Sequence, residues 1–339
     1  MKIAITGGAG FIGSHLTQAY LDAGHDVVVI DSLAHGARSR EAVDSRARFY
    51  QLDIRDGKLQ AVLERERPDI VSHHAAQREQ HELLLDEQAL VSADLHIRGL
   101  LHLLDCCVAA SVGKIIFASG GNSLYGCVDT VEAAARQSVW VSAEGVCVPL
   151  VREDAPLCPL KPGDISKVAG EWYVRYYTRQ YGLAHTILRY ADIYGNEFSD
   201  ADLSHHPLSY FTRMLLDGRR PTIRGAADEI RDHLAIEDVV SANQRVLERG
   251  KNQTLHISSG QGYTLKQFYR AVAQQLDVEM EPVYISSSLV EARSLVLDNA
   301  LARRELGWHP TIDFATGVRM AVERLRLPVR EESLVLVGV

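Results

Sequence analysis

Three glycines, Gly8, Gly10 and Gly13, stand in the spacing Gly-x-Gly-x-x-Gly inside the run Gly7-Gly-Ala-Gly-Phe-Ile-Gly13, and an acid, Asp31, follows further along the chain. These residue types suit phosphate and ribose chemistry. Glycine at the start of the run, Gly7 included, permits a turn that a Cβ would obstruct. Gly10 lets the backbone come close to a pyrophosphate, and Gly13 lets a helix pack tightly on the preceding strand. The N–H groups of Phe11 and Ile12 at the helix start then face the phosphates. Asp31 falls where a carboxylate accepts hydrogen bonds from both hydroxyls of an adenosine ribose and repels a 2′-phosphate, which selects NAD over NADP. Such a site needs a strand, a helix and a second strand in fixed order. The pattern predicts them as a buried strand over 1–6, a helix over 14–23, a turn at 24–26 and a strand over 27–30.

The first half continues as alternating strands and helices, the mark of a Rossmann-type doubly wound parallel sheet in an α/β fold. Strands are predicted over 48–52, 70–72, 114–118 and 184–190, and helices over 58–67, 87–110 and 165–181. By the rule that ligands gather at strand carboxyl ends, the site spans Gly7–Gly13, Asp31, Asp53, Ala75, Ser119 and the loop after Tyr190. The second half is less regular. Helices are predicted over 207–217, 236–248, 264–276, 301–306 and 314–325, with short strands over 222–224, 254–257, 283–285 and 296–297. The domain organisation expected is an NAD-binding domain over 1–190, a mainly substrate-binding smaller C-terminal α/β cap over 191–325 with segments returning to the first domain, and a tail over 326–339.

The net charge of −8 argues against nucleic acid or an anionic membrane as partner. Met1 leads straight into a strand, so no signal peptide is expected, and no apolar run approaches the roughly 18 residues of a membrane span. Five cysteines, Cys106, Cys107, Cys127, Cys147 and Cys158, show no metal-binding spacing. They are read as reduced thiols of a cytoplasmic protein. The pairs His73-His74 and His205-His206 are read as structural or surface residues, and no metal site is expected.

Further ordered blocks carry a resemblance. They are Asp31-Ser-Leu33, Asp53-Ile54, Pro68-Asp-Ile-Val-Ser-His-His-Ala-Ala-Gln77, Phe117-Ala-Ser119, Leu124-Tyr-Gly126 and Ser166-Lys-Val-Ala-Gly-Glu171, then Leu188-Arg-Tyr-Ala-Asp-Ile-Tyr-Gly195, Arg231-Asp-His-Leu-Ala-Ile-Glu-Asp238 and Leu306-Gly-Trp-His-Pro310. Together with the glycine run, over about residues 1–325, the chain resembles the extended short-chain dehydrogenase/reductase family, in its NAD-dependent nucleotide-sugar epimerase/dehydratase branch. The resemblance implies hydride transfer between a sugar carbon and the nicotinamide of NAD, a nucleoside-diphosphate sugar as ligand and a homodimer formed through helices near 87–110 and 165–181. It adds Ser32, Ile54, Ala76 and Lys167 to the NAD contacts and assigns Arg231 to the diphosphate, with Arg224 or Arg219 assisting.

The same resemblance exposes departures. The family takes the substrate proton with the Tyr of a Tyr-x-x-x-Lys motif, yet four residues before Lys167 stands Gly163. Candidates for the missing group are Asp164, Tyr125, Tyr194 or a water bound by Lys167. Ser119, Asn122 and Ser123 are the polar residues at the altered strand end, and with Tyr125 and Asp164 they are expected to face the reacting carbon. Three outcomes stand open: another group takes the proton, the scaffold runs altered chemistry, or the protein binds NAD and ligand with little turnover. A second departure is an insertion over about 127–152, predicted to hold a helical turn over 130–137 and a hairpin over 138–148, with Trp140 and Val141 buried. It is read as a lid, a specificity loop, an oligomer contact or a tolerated surface loop. The third is Asp192, a charge near the substrate that needs Arg189 or Arg231 as its pair, or a proton.

Overall fold

Strand β1, Lys2–Thr6, is apolar on both faces, and Ile3, Ala4 and Ile5 are wholly buried. A strand of that kind belongs inside a parallel sheet covered on both sides. In the computed structural model β1 lies between β4 (Ile70–His73) and β2 (Asp26–Asp31), both parallel to it. The remaining strands of the sheet are β3 (Arg48–Gln51), β5 (Lys114–Ser119), β8 (Ala184–Tyr190) and β12 (Gln253–Ile257), in the order β12-β8-β5-β4-β1-β2-β3. The residues described are 1–34, 43–76, 85–126, 138–142, 145–195, 207–225, 227–285 and 294–326. The helix expected over 130–137, Cys127, His205-His206 and nearly all of the 326–339 tail lie outside them.

Two apolar layers cover the sheet, one including Leu16, Tyr20, Val239 and Trp308, the other Leu59, Leu103, Phe117 and Val174. Tyr20 on the helix Phe11–Asp22 donates to the Asn243 carbonyl at 3.4 Å, so the helix Ile236–Val246 closes the first layer from the second half of the chain. A third core, with Phe211, Phe268, Val272 and Val318, sits in the second half. Around it run β9 (Asp192–Tyr194), β11 (Arg231–Ala235) and β13 (Gly262–Tyr263) in one small sheet, and β10 (Thr222–Arg224) with β14 (Val283–Ile285) in another. Thr264 and Gln267 form a reciprocal capping box that starts the helix Leu265–Leu276.

Four details depart from the sequence-based expectation. The first helix begins at Phe11, because Gly10 itself is the N-cap. The long helix expected over 87–110 is broken into Leu85–Ala93, a π-helical turn Asp94–Gly99, and Leu100–Ala109. Gly99 lies so close to β3's following loop that a Cβ there would stand 2.9 Å from Ile54 Cδ1. The hairpin forms from β6 (Val139–Val141) and β7 (Cys147–Val151), but alternation turns Trp140 inward and leaves Val141 53% exposed. Finally, Cys106, Cys107 and Cys147 are free thiols whereas Cys158 is disulfide-bonded, which corrects the expectation of five reduced thiols.

Candidate active site

The turn after β1 is shaped by contacts that no side chain could share. Gly7 has φ +72° and its position would put a Cβ 2.5 Å from the Ala75 nitrogen, while a Cβ on Gly13 would fall 2.1 Å from the Gly7 carbonyl oxygen. Gly13 therefore packs against the loop itself. Gly10 supplies no capping side chain and the first helical turn holds no acid, so the positive end of the helix dipole is left for an anion. Asp31 ends β2 with its carboxylate fixed by backbone donors, Ala9 N–H and Leu33 N–H, each at 2.9 Å. The cleft beside this loop is lined by Gly7, Gly10, Asp31, Ser32, Asp53, Ile54, Ala75 and Ala76, with Arg55, His74 and Leu95 among the further residues. A glycine cradle, a bare helix start and a carboxylate in one cleft fit the pyrophosphate and ribose of a dinucleotide. Phe11, Ile12 and Gly13 build the helix start behind this wall.

Arg55 is a part of the cleft that the spacing did not single out. It binds Asp53 through Nε at 2.8 Å and Nη2 at 2.6 Å and also pairs with Asp94 on the π-helical turn. Its hydrogen bond holds the Asp53 carboxyl below the usual carboxylate range. The two neighbouring histidines pack against aromatic rings. His73 Nδ1 meets Thr6 Oγ1 at 2.7 Å and its ring stacks on Phe117. His74 stacks on Tyr190, and burial pushes it down to about 3.

The second half of the site lies where β5 ends and the helix Pro162–Tyr181 begins. Lys167 Nζ donates to the Ala118 carbonyl at 2.8 Å and sits 5.2 Å from the centre of the Phe117 ring. Burial lowers Lys167 to about 8, with the nearby Asp164 charge opposing that shift. Ser123, in the short 3-10 turn Asn122–Leu124, donates to Asp164 Oδ1 at 2.6 Å.

Ser119, Asn122 and Tyr125, expected to face the reacting carbon, are buried and committed to protein partners. Ser119 Oγ donates to Glu171 Oε1 at 2.7 Å, and Asn122 Nδ2 donates to the Asp232 carbonyl at 2.9 Å. Tyr125 is wholly buried, accepting from Arg189 Nη1 at 2.6 Å and lying 2.7 Å from His256 Nε2. Glu171 and Arg189 hold one another by two hydrogen bonds, Nε to Oε1 at 2.8 Å and Nη2 to Oε2 at 2.7 Å. This network was not read from the sequence: its partners are distant along the chain, and only burial of both charges reveals it.

On β9, Asp192 takes Arg231, not Arg189, as its pair. Arg231 Nε stands 2.8 Å from Asp192 Oδ2 without the alignment of a full hydrogen bond, and its Nη2 reaches Oδ1 at 3.4 Å. Arg224 closes β10, and its side chain lies outside the described part of the structure. Asp232 points the other way, receiving Ser259 and Gly260 N–H groups, and burial raises it to about 7. Among the described residues no group of three or more His, Cys, Asp and Glu is arranged to hold a metal, and no helix is long and apolar enough to cross a membrane.

Comparison with known proteins gives a consistent result. The model of the NAD dependent epimerase/dehydratase family matches residues 3–258. A putative UDP-glucose 4-epimerase of Methanocaldococcus jannaschii is 30% identical over 324 residues, covering 96% of this chain and 98% of that one. The solved UDP-glucose 4-epimerase of Thermotoga maritima with UDP-glucose superposes with a TM-score of 0.84 at 31% identity, covering 96% of this chain and 99% of the other. That of Thermus thermophilus with NAD gives a TM-score of 0.82 at 28% identity, with 96% and 99% covered.

Proposed function

Because this chain belongs to the NAD-dependent epimerase/dehydratase family, we propose that it oxidises a hydroxyl-bearing carbon of a nucleoside-diphosphate sugar, with a 4-epimerase outcome favoured by its relatives. NAD, when bound, supplies the hydride acceptor. Gly7, Gly10 and the Phe11–Ile12 amides hold its pyrophosphate, and Asp31 its adenosine ribose. Ser32, Asp53, Ile54, Ala75 and Ala76 enclose the rest, and Lys167 anchors the nicotinamide ribose. Arg231 takes the diphosphate beside Asp192.

The observation that carries this reading is Lys167, a partly buried ammonium fixed on the Ala118 carbonyl at the same carboxyl edge as the dinucleotide cleft. The rival reading, a protein that binds NAD and ligand with little turnover, draws on Gly163 alone. Incubation with UDP-, GDP-, dTDP- and CDP-sugars separates the two. An absorbance rise at the wavelength of reduced nicotinamide, or an epimerised or dehydrated product, is expected with at least one. Silence across the panel would leave the binder.

The working form in this reading is a homodimer in the cytoplasm. The helix Pro162–Tyr181 leaves Trp172, Tyr173, Tyr176 and Tyr181 exposed, and Leu90 and Val91 are exposed on the helix Leu85–Ala93. An aromatic face of that kind supports a second copy as its cover, and light scattering of the purified chain tests it.

A further inference from the structure

We infer that Ser123 and Asp164 form the proton-transfer pair that stands in for the absent tyrosine. The inference rests on the reading of this site as one that oxidises a sugar hydroxyl, and it names the group that this reading leaves blank.

Most of the candidate groups are held by other partners or shut away by burial. Ser119 is spent on Glu171, Asn122 on the Asp232 carbonyl, and Tyr125 on Arg189 and His256. Tyr194 is 2% exposed, and its hydroxyl is packed against the helix Phe314–Arg326, where a Cβ on Gly317 would stand 2.2 Å from it. Lys167 is itself a donor, bound to the Ala118 carbonyl. Unlike the buried Ser119, Asn122, Tyr125 and Tyr194, Ser123 and Asp164 are only partly buried, and they are bonded to each other. They also stand in the right place. Asp164 immediately follows Gly163 in the first turn of its helix, and Lys167 lies on the next turn. Ser123 comes from the turn after β5, so its hydrogen bond to Asp164 at 2.6 Å joins the strand end to the helix that carries Lys167.

The step balances as a two-proton relay. The substrate O–H proton passes to Ser123 Oγ as the Ser123 proton passes to Asp164 Oδ1. The carbon-bound hydrogen would leave with its electron pair, for which bound NAD would supply the acceptor, and a C=O would remain on the sugar with a neutral carboxyl on Asp164. Return of hydride and proton reverses both transfers. Lys167, close enough to Asp164 for their charges to interact, sets the field along that path.

The test uses the full chain with its NAD and the variants S123A, D164N and the double, alongside D164E and D164N/G163Y. Loss of a positioned acid/base group typically costs about 10²- to 10⁴-fold. We expect S123A and D164N each to lose about 10²-fold or more in kcat, with NAD per chain unchanged and KM within about threefold. The double should lose little more than either single, because the two act as a unit. D164N/G163Y should regain rate. A pair that merely ties loop to helix would lower the melting temperature and NAD content and leave the rate per bound NAD intact. Such a result, or multiplicative losses in the double, would overturn the inference. Should D164N not fold, S123A and D164E carry the same comparison. If the wild type is silent on every sugar nucleotide, the reading of the site falls and the pair with it. If the wild type and both singles are equally active, only the pair falls.

Discussion

At one end of the sheet's carboxyl edge, Gly7 and Gly13 shape the cleft through backbone and Asp31 is held by it. Two positions exclude a Cβ, and the carboxylate is fixed by the Ala9 and Leu33 amides. At the other end, the work falls to side chains. Ser119, Tyr125, Glu171, Arg189 and His256 form a buried polar cluster, and Asp164 and Lys167 share the helix of Glu171. The difference explains why one end keeps its sequence pattern and the other departs from it. A backbone cradle tolerates almost no substitution, because a Cβ at Gly13 meets the Gly7 carbonyl whatever its chemistry. A side-chain cluster can pass a proton task from one residue to its neighbour.

The largest expected effect tests the support under the chemical end. Glu171→Ala would leave Arg189, only 3% exposed, without its carboxylate. Breaking a buried pair in this way costs about 3–5 kcal/mol, to be read from denaturant unfolding. A loss below about 1 kcal/mol would mean that the cluster is not what holds β5 to the helix. At the cofactor end, Asp31→Ser removes a charged acceptor and with it the carboxylate that holds the Ala9 and Leu33 amides. Hydrogen bonds to charged groups are worth about 1.5–3 kcal/mol, so NAD should weaken by about 10- to 100-fold, and discrimination against NADP should shrink. Unchanged NAD affinity would break the comparison at its firmer end.

The smallest effect concerns pH. Burial lowers Lys167 to about 8, so activity should fall as pH rises through that value, with about half remaining there. Lys167→Arg should remove this limb, because guanidinium stays charged. The stability change has the opposite sign. The folded pKa lies below the ordinary lysine value of 10.5, so between those values the unfolded chain holds more protons and stability rises with pH.

Legibility in the sequence follows the same division. The strand–turn–helix–strand unit and Asp31 could be read because glycine and acid spacing reports backbone geometry directly. The π-helical turn at Asp94–Gly99 could not, because one extra residue in a turn leaves the apolar spacing around it intact. The Glu171–Arg189 pair stayed hidden because pairing across a sheet depends on burial and register, with Ser119 opposite Arg189 in β5 and β8. The pairing of Asp192 narrowed to two arginines on chemistry, and only β9 lying beside β11 decides for Arg231. The disulfide at Cys158 carries no spacing signal.

The division itself is tested most directly by the rate of nicotinamide reduction per bound NAD in D164N against the wild type, each mixed with saturating UDP-glucose. The account predicts equal NAD content and a rate about 10²-fold lower in D164N. An unchanged rate per bound NAD would contradict it.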